Sequence, residues 1–290
     1  MEIWLAVTLV AAFLQNARSL LQKRLTGALS VNGAAYVRFS YALPFAWLYA
    51  LLLWGGVPHG LNGDFFTYVT VGGIAQILAT AALLSAFTHG NFAVGTAYSK
   101  TEAAQAALFG LLLLGDGVTA WVLAGIAVSL VGVFLLSGNV TLKDVSRPGP
   151  ALWLGLLAGA GFAVAAVGFR GASLALGEGT YLQRAALTVM VSVTLQTVLM
   201  GGYLLAREPG ELTRTWRHWR VAVWIGLIGM VASAGWFTAM TLKNAAVVRA
   251  VGQVELLFTV VTSTWLLGER LKRREVAGMA LVVAGILLLI

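Results

Sequence analysis

Two glutamates sit inside long apolar runs, where a carboxylate is costly. Glu102 lies in SKTEAAQAALFGLLLLGD, Ser99 to Asp116, and Glu255 in GQVELLFTVVTSTWLLGE, Gly252 to Glu269. Each stands about ten residues into its run, near the middle of a helix long enough to cross a bilayer. A carboxylate moved out of water holds its proton to higher pH. Such a group can bind a proton in one state of a carrier, then release it, or exchange it for a cationic group, in another. Lys100 and Arg249 stand nearby in sequence with the opposite charge. A charge at a helix centre costs roughly 2.5–3.5 kcal/mol on insertion scales, so each of these four must face a partner or a wet cavity. The competing reading is structural: Lys100, Arg249 or Arg38 simply neutralises the two glutamates. Lys100 is two positions from Glu102 and Arg249 six from Glu255. Neither spacing brings a pair together along one helix, so any pairing must run across helices.

Other polar residues accompany the glutamates. Ser99, Glu102 and Gln105 step by three, and Gly252, Glu255, Thr259 and Thr262 follow helical spacing, so each set is expected to form a polar stripe lining a cavity. Gln15, Asn16 and Ser19 in the first apolar run, Gln76, and Gln183 and Gln196 form a second tier. Amides can hold a substrate amine or carboxylate, and they can equally join helices. Arg38 and Arg184 occupy matching places in YVRFS and YLQRA, and Arg18 sits near the end of the first run. Snorkelling or a capping role accounts for these three.

The two glutamate stretches are related by a fixed offset. Adding 153 carries Glu102 to Glu255, Gly115 to Gly268, Asp116 to Glu269 and Gly125 to Gly278, and carries VGVFLL at 131–136 onto AGILLL at 284–289. An internal duplication of this kind is the usual construction of a membrane transporter.

Composition places the chain in lipid. It is 59% hydrophobic and 10% charged, with a mean hydropathy of +0.87, whereas a soluble domain carries about a quarter charged residues. There is no cysteine, which excludes disulfides and thiolate metal sites, and three histidines, His59, His89 and His218, do not cluster. Metal-ligand spacing, phosphate-binding loops and nucleophile–base motifs are missing from the sequence, so neither an enzyme nor a cofactor is expected. The net charge of +8 reads as a topological bias rather than a nucleic-acid footprint, because the basic residues sit in short loops. The first apolar run has no basic leader and no evident cleavage site, so a removed signal peptide is not expected.

Ten runs are apolar and long enough to span: 3–22, 33–54, 66–88, 92–114, 118–137, 150–170, 181–205, 219–241, 245–267 and 274–290. Continuous Leu/Ala/Val-rich runs favour helices over a barrel. Small residues recur where helices approach, as at Gly125 and Gly132, Gly155 and Gly159, and Gly278 and Gly285. The fold expected is an all-α integral membrane protein of ten transmembrane helices in two inverted five-helix repeats, 1–140 and 150–290, joined by a linker over 141–149. Lys23 and Arg24, Lys143 and Arg147, Arg207 to Arg220, and Arg270 to Arg274 all follow odd-numbered spans. Basic residues favour the cytoplasm, so both termini face out, and the odd number of helices per half inverts the repeats. Of ten tryptophans, Trp4, Trp54, Trp121, Trp153, Trp216 and Trp219 fall near span ends, where aromatic belts lie. Trp236 and Phe237, with Tyr98, serve as core packing or apolar cavity wall.

The ten-span count, the duplicated unit and the repeated LGD/LGE turn followed by A-G-x(6)-G resemble the EamA-type branch of the drug/metabolite transporter superfamily. The resemblance covers essentially the whole chain. It implies a secondary transporter, often an exporter of amino acids or other small metabolites, with a central cavity between the halves. It also implies a multi-pass protein of the bacterial inner membrane. Two features depart from that pattern. Glu102 and Glu255 stand where family members often carry proline, and well-known members keep both termini in the cytoplasm. The glutamate of small multidrug relatives has no counterpart here, since the first helix reads FLQNARSLLQK. The expected ligand is a small polar or amphipathic metabolite, such as an amino acid or amine derivative, moved by proton coupling or exchange; an uncoupled facilitator is the alternative. The expected partners are that solute and the bilayer, with no nucleic acid. One duplicated chain can complete the fold, so a monomer is expected, with a homodimer as the alternative.

Overall fold

A computed structural model describes residues 2–25, 27–56, 60–88, 92–137, 149–267 and 272–290. Every regular element among them is helical. In chain order these are α1 (Ile3–Lys23), α2 (Val31–Ser40), α3 (Leu43–Trp54), α4 (Gly63–Thr88), α5 (Phe92–Ser99), α6 (Glu102–Leu114), α7 (Ala120–Leu136), α8 (Pro150–Ala175), α9 (Tyr181–Arg207), α10 (Glu211–Arg217), α11 (Trp219–Leu242), α12 (Ala245–Val251), α13 (Glu255–Leu267) and α14 (Arg273–Leu289), with a 3₁₀ turn at Gly252–Val254. Among the described residues, six helical stretches are long and apolar enough to cross a membrane: 3–22, 31–54, 63–86, 150–175, 181–207 and 219–242. The protein is therefore a multi-pass integral membrane protein. Residues 141–148 of the linker expected over 141–149, with Lys143 and Arg147, the expected turn at Gly268 and Glu269 with Arg270, and His59 and His89 fall outside the described residues.

Three expected spans prove to be broken. The run 33–54 is two helices, α2 and α3, meeting at Tyr41–Ala42. Pro44 in the first turn of α3 cannot continue an α-helical ladder from α2, because it has no N–H and its ring crowds the carbonyl four residues back. The runs 92–114 and 245–267 break at 100–101 and 252–254, which bears directly on the glutamates.

The chain forms two compact units, each drawn from both halves of the sequence. One comprises Met1–Gly73 and Gly168–Leu242, the other Ile74–Val167 and Lys243–Ile290. In the first unit α1 lies antiparallel along α11. A Cβ at Gly235 would come 2.9 Å from Ala11, and one at Gly229 3.0 Å from the Arg18 stem. The α3 helix is tied to α9 through indole donors: Trp47 to Thr194 at 3.0 Å and Trp54 to the Gln183 carbonyl at 2.9 Å. Phe65, Val69, Ala172, Leu176 and Leu187 close a small apolar core beside them.

In the second unit α7 and α14 cross through glycine. A Cβ at Gly125 would lie 2.9 Å from the Gly285 carbonyl oxygen, and one at Gly285 2.7 Å from that of Gly125. Gly132 and Gly278 face each other in the same way, at 2.7 and 2.8 Å. Only residues without a side chain allow this backbone approach. Gly125 pairs with Gly285 and Gly132 with Gly278, so the two helices run antiparallel. At the centre of the crossing Ser129 donates to the Val282 carbonyl at 3.5 Å, across 153 residues. That separation equals the offset of the sequence repeat. Residues that are equivalent in the repeat thus meet at a local two-fold.

Candidate functional site

The site lies within the second unit, where both glutamates open a helix. The α5 helix ends at Ser99 and α6 begins at Glu102, while α12 and its 3₁₀ turn end at Val254 and α13 begins at Glu255. No proline forces either break. Hydroxyls and tightened backbone bonds do it instead. Ser99 Oγ donates to the Thr96 carbonyl at 2.8 Å and Thr101 Oγ1 to that of Tyr98 at 2.6 Å. The Thr101 N–H reaches back three residues, to Tyr98, at 3.2 Å. The matching segment in the other half is a full 3₁₀ turn. A 3₁₀ stretch inside a long helix often marks a hinge. Here the same tightening precedes the same residue type twice.

Glycine on α8 receives the first break. A Cβ at Gly159 would meet the Ser99 carbonyl oxygen and Thr101 Oγ1 at 3.0 Å, and one at Gly155 the Gly95 carbonyl at 2.8 Å. Gln105 completes this wall, with Nε2 donating to Thr101 Oγ1 at 2.8 Å and to the Leu156 carbonyl at 3.4 Å.

The breaks place each carboxylate at the positive end of a half-helix, where anionic charge is stabilised. The cations then come across from the other half of the sequence. Arg249 Nη2 donates to Glu102 Oε1 at 2.7 Å, and Lys100 Nζ is ion-paired with Glu255 Oε1. The side chains of Arg249 and Glu102 are 16% and 4% exposed, those of Lys100 and Glu255 13% and 16%. All four groups are thus largely out of solvent, and the Lys100–Glu255 pair leaves its carboxylate the more accessible of the two. The group carries two positive and two negative charges and is neutral as a whole.

The other expected residues divide. Ser99 is buried against α5's own backbone. Ser99 and Glu102 stand on opposite sides of the break rather than on one continuous helical face. Thr259 is exposed and its hydroxyl donates to the Glu255 carbonyl at 2.9 Å; the side chain of Thr262 lies outside the described residues. Gln15 and Asn16 belong to the other unit, on α1, where Gln15 Oε1 accepts from the Trp236 indole at 3.0 Å. Trp236 and Phe237 are buried on α11, with Phe237 stacked on Phe169.

Gln253 was not anticipated. It is 1% exposed, its Nε2 donates to the Lys100 carbonyl at 3.3 Å, and its Oε1 has no partner among the described residues. The offset of 153 makes it the counterpart of Lys100, which was the available signal. Among the described residues there is no group of His, Asp and Glu side chains fit to hold a metal ion.

The profile of the EamA-like transporter family matches residues 149–290. By that half, the chain belongs to the EamA-like transporter family. This is a family of the drug/metabolite transporter superfamily. No curated protein matches this EamA-like transporter. One solved structure, titled only "Crystal structure of protein", is similar with a TM-score of 0.74 and 17% identity, over 98% of this chain and 97% of its own. At that identity the likeness speaks for the fold alone, and it extends through both halves.

Proposed function

We propose that this EamA-like transporter is a secondary active carrier, an exporter or proton-coupled exchanger, for small zwitterionic or amine-bearing metabolites such as amino acids and their derivatives. In this reading it sits in a bacterial inner membrane as ten spans in two inverted repeats, and acts as one chain. The observation that carries the proposal is the reciprocal pairing of Glu102 with Arg249 and of Glu255 with Lys100 at the starts of two half-helices. Discontinuous helices whose ends face substrate and coupling ion are a recurrent device of carriers built from inverted repeats. The antiparallel α7–α14 crossing supports inversion, because equivalent helices of parallel repeats point the same way.

The chemistry follows from the charge balance. A substrate ammonium competes with Lys100 for Glu255, and a substrate carboxylate takes up the released Lys100 ammonium. A cation alone would leave Lys100 without a counter-charge in a dry setting, which is costly. A zwitterion replaces both partners at once. A proton on Glu255 is the other way to neutralise the carboxylate, so proton and substrate ammonium occupy it in turn. Glu102, more deeply buried and held by a guanidinium that keeps its charge, acts as the fixed member. Gln253 Oε1 supplies an acceptor for a substrate N–H beside Lys100.

The test is counterflow of labelled amino acids and amines in liposomes, with and without an imposed pH gradient. Saturable exchange that responds to the gradient and is lost in Glu255→Gln supports a coupled carrier. Flux indifferent to both would make the protein an uncoupled facilitator.

A further inference from the structure

The connection from α9 to α11 reads REPGELTRTWRHWR, residues 207–220, an apparently mixed run of acids and bases. Folding sorts them. Both glutamates turn toward α2: Glu208 accepts from Ser30 Oγ and from Asn32 Nδ2, the latter at 2.6 Å. Glu211, 2% exposed, accepts from the Ser30 N–H at 2.5 Å. Two carboxylates thereby cap the positive end of α2. Tyr41 adds a hydrogen bond to the Thr215 carbonyl at 3.2 Å, and Thr215 is buried beside it. The segment is pinned along its inner side at 208, 211 and 215.

What remains outward is basic and aromatic. Arg207, Arg217 and Arg220 are exposed, and Arg214, which pairs with Glu211, still keeps 60% of its side chain exposed. Trp216 and Trp219 are 72% and 50% exposed, and the Arg220 guanidinium lies 5.8 Å from the Trp219 ring centre. The ion pairs among the described residues leave Arg207, Arg217 and Arg220 without a carboxylate. Both α9 and α11 are long and apolar enough to cross a membrane, so the segment between them lies at a membrane face. Guanidinium groups bind phosphate oxygens in a bidentate fork, and tryptophan favours the headgroup level.

We propose that this segment is a preformed platform for the headgroups of acidic phospholipids. Its outward charge matches a phosphate that bears no compensating ammonium, its indoles reach the acyl boundary, and its own acids are turned inward, away from the ligand.

The experiment uses the full chain in neutral detergent. Bound phosphatidylglycerol, phosphatidylcholine and water-soluble glycerol phosphate are measured by native mass spectrometry and by the shift in thermal midpoint. Wild type should retain phosphatidylglycerol over phosphatidylcholine. The Arg207→Gln/Arg217→Gln/Arg220→Gln variant should lose roughly fivefold in affinity for each arginine removed, and Arg217→Gln/Arg220→Gln, with the loss of two arginines, serves if the triple variant misfolds. Arg273→Gln/Arg274→Gln, on the exposed start of α14, should bind as wild type. Equal retention of the two lipids, unchanged binding in the triple variant, or an equal loss in the α14 variant would overturn the proposal. Glycerol phosphate binding as tightly as the lipid would also overturn it, by showing a soluble-anion site.

Discussion

Arg249 holds Glu102 at 2.7 Å across 147 residues of sequence. The guanidinium leaves from the last turn of α12, and the carboxylate opens α6. Both side chains are mostly buried, so removing one takes the opposite charge away from the other. Glu102→Gln should therefore lower stability by about 3–5 kcal/mol, the range for breaking a buried pair. Glu102→Gln/Arg249→Gln should recover part of that loss. Thermal midpoints of the purified variants check both.

Glu255→Gln should behave differently. Its carboxylate is the more exposed of the two, and the proposal makes it the exchanging member. The variant takes the counter-charge from Lys100 and should lower the thermal midpoint as Glu102→Gln does, but it alone should also lose the response of transport to a pH gradient. Proteoliposome flux measured beside the thermal midpoint separates the two effects.

The glutamates and their repeat were legible in the sequence because a fixed offset survives any folding detail. Their partners were not. A cation 147 or 155 residues away leaves no local trace, and the spacing along each helix showed only that same-helix pairing fails. The breaks were hidden as well. TEAAQAALF is good helix-forming sequence, and the tightening before Glu102 comes from Ser99 and Thr101 hydroxyls capturing carbonyls, a choice settled by packing against Gly159. By contrast Pro44 did announce the α2–α3 break, and a continuous 33–54 span passed over it. The inward turn of Glu208 and Glu211 depends on Ser30, 178 and 181 residues away.

The α7–α14 crossing should be intolerant of side chains. Gly132→Val would put a Cβ within 2.7 Å of the Gly278 carbonyl and the Val282 N–H. Neither backbone atom can rotate away. A loss of about 1–3 kcal/mol or more is expected, with a comparable loss for Gly278→Val. Gly117→Ala, which meets nothing within 4 Å, should leave the thermal midpoint unchanged.

Topology has its own test. The chain lacks cysteine, so single substitutions report cleanly. Thr213→Cys and Lys272→Cys should label from the same side of the membrane and Gly117→Cys from the opposite side, using an impermeant maleimide on intact cells. Labelling of Thr213→Cys and Gly117→Cys from one side would rule out the inverted arrangement.

The most direct measurement of the central claim is proton release by the solubilised protein on addition of each member of a library of amino acids and amines, wild type against Glu255→Gln. Wild type held at a pH low enough to protonate Glu255 should release protons when zwitterionic or amine ligands displace them from its carboxyl, and the variant should release none. Ligand binding that releases no proton in wild type, or release that persists unchanged in Glu255→Gln, would contradict it.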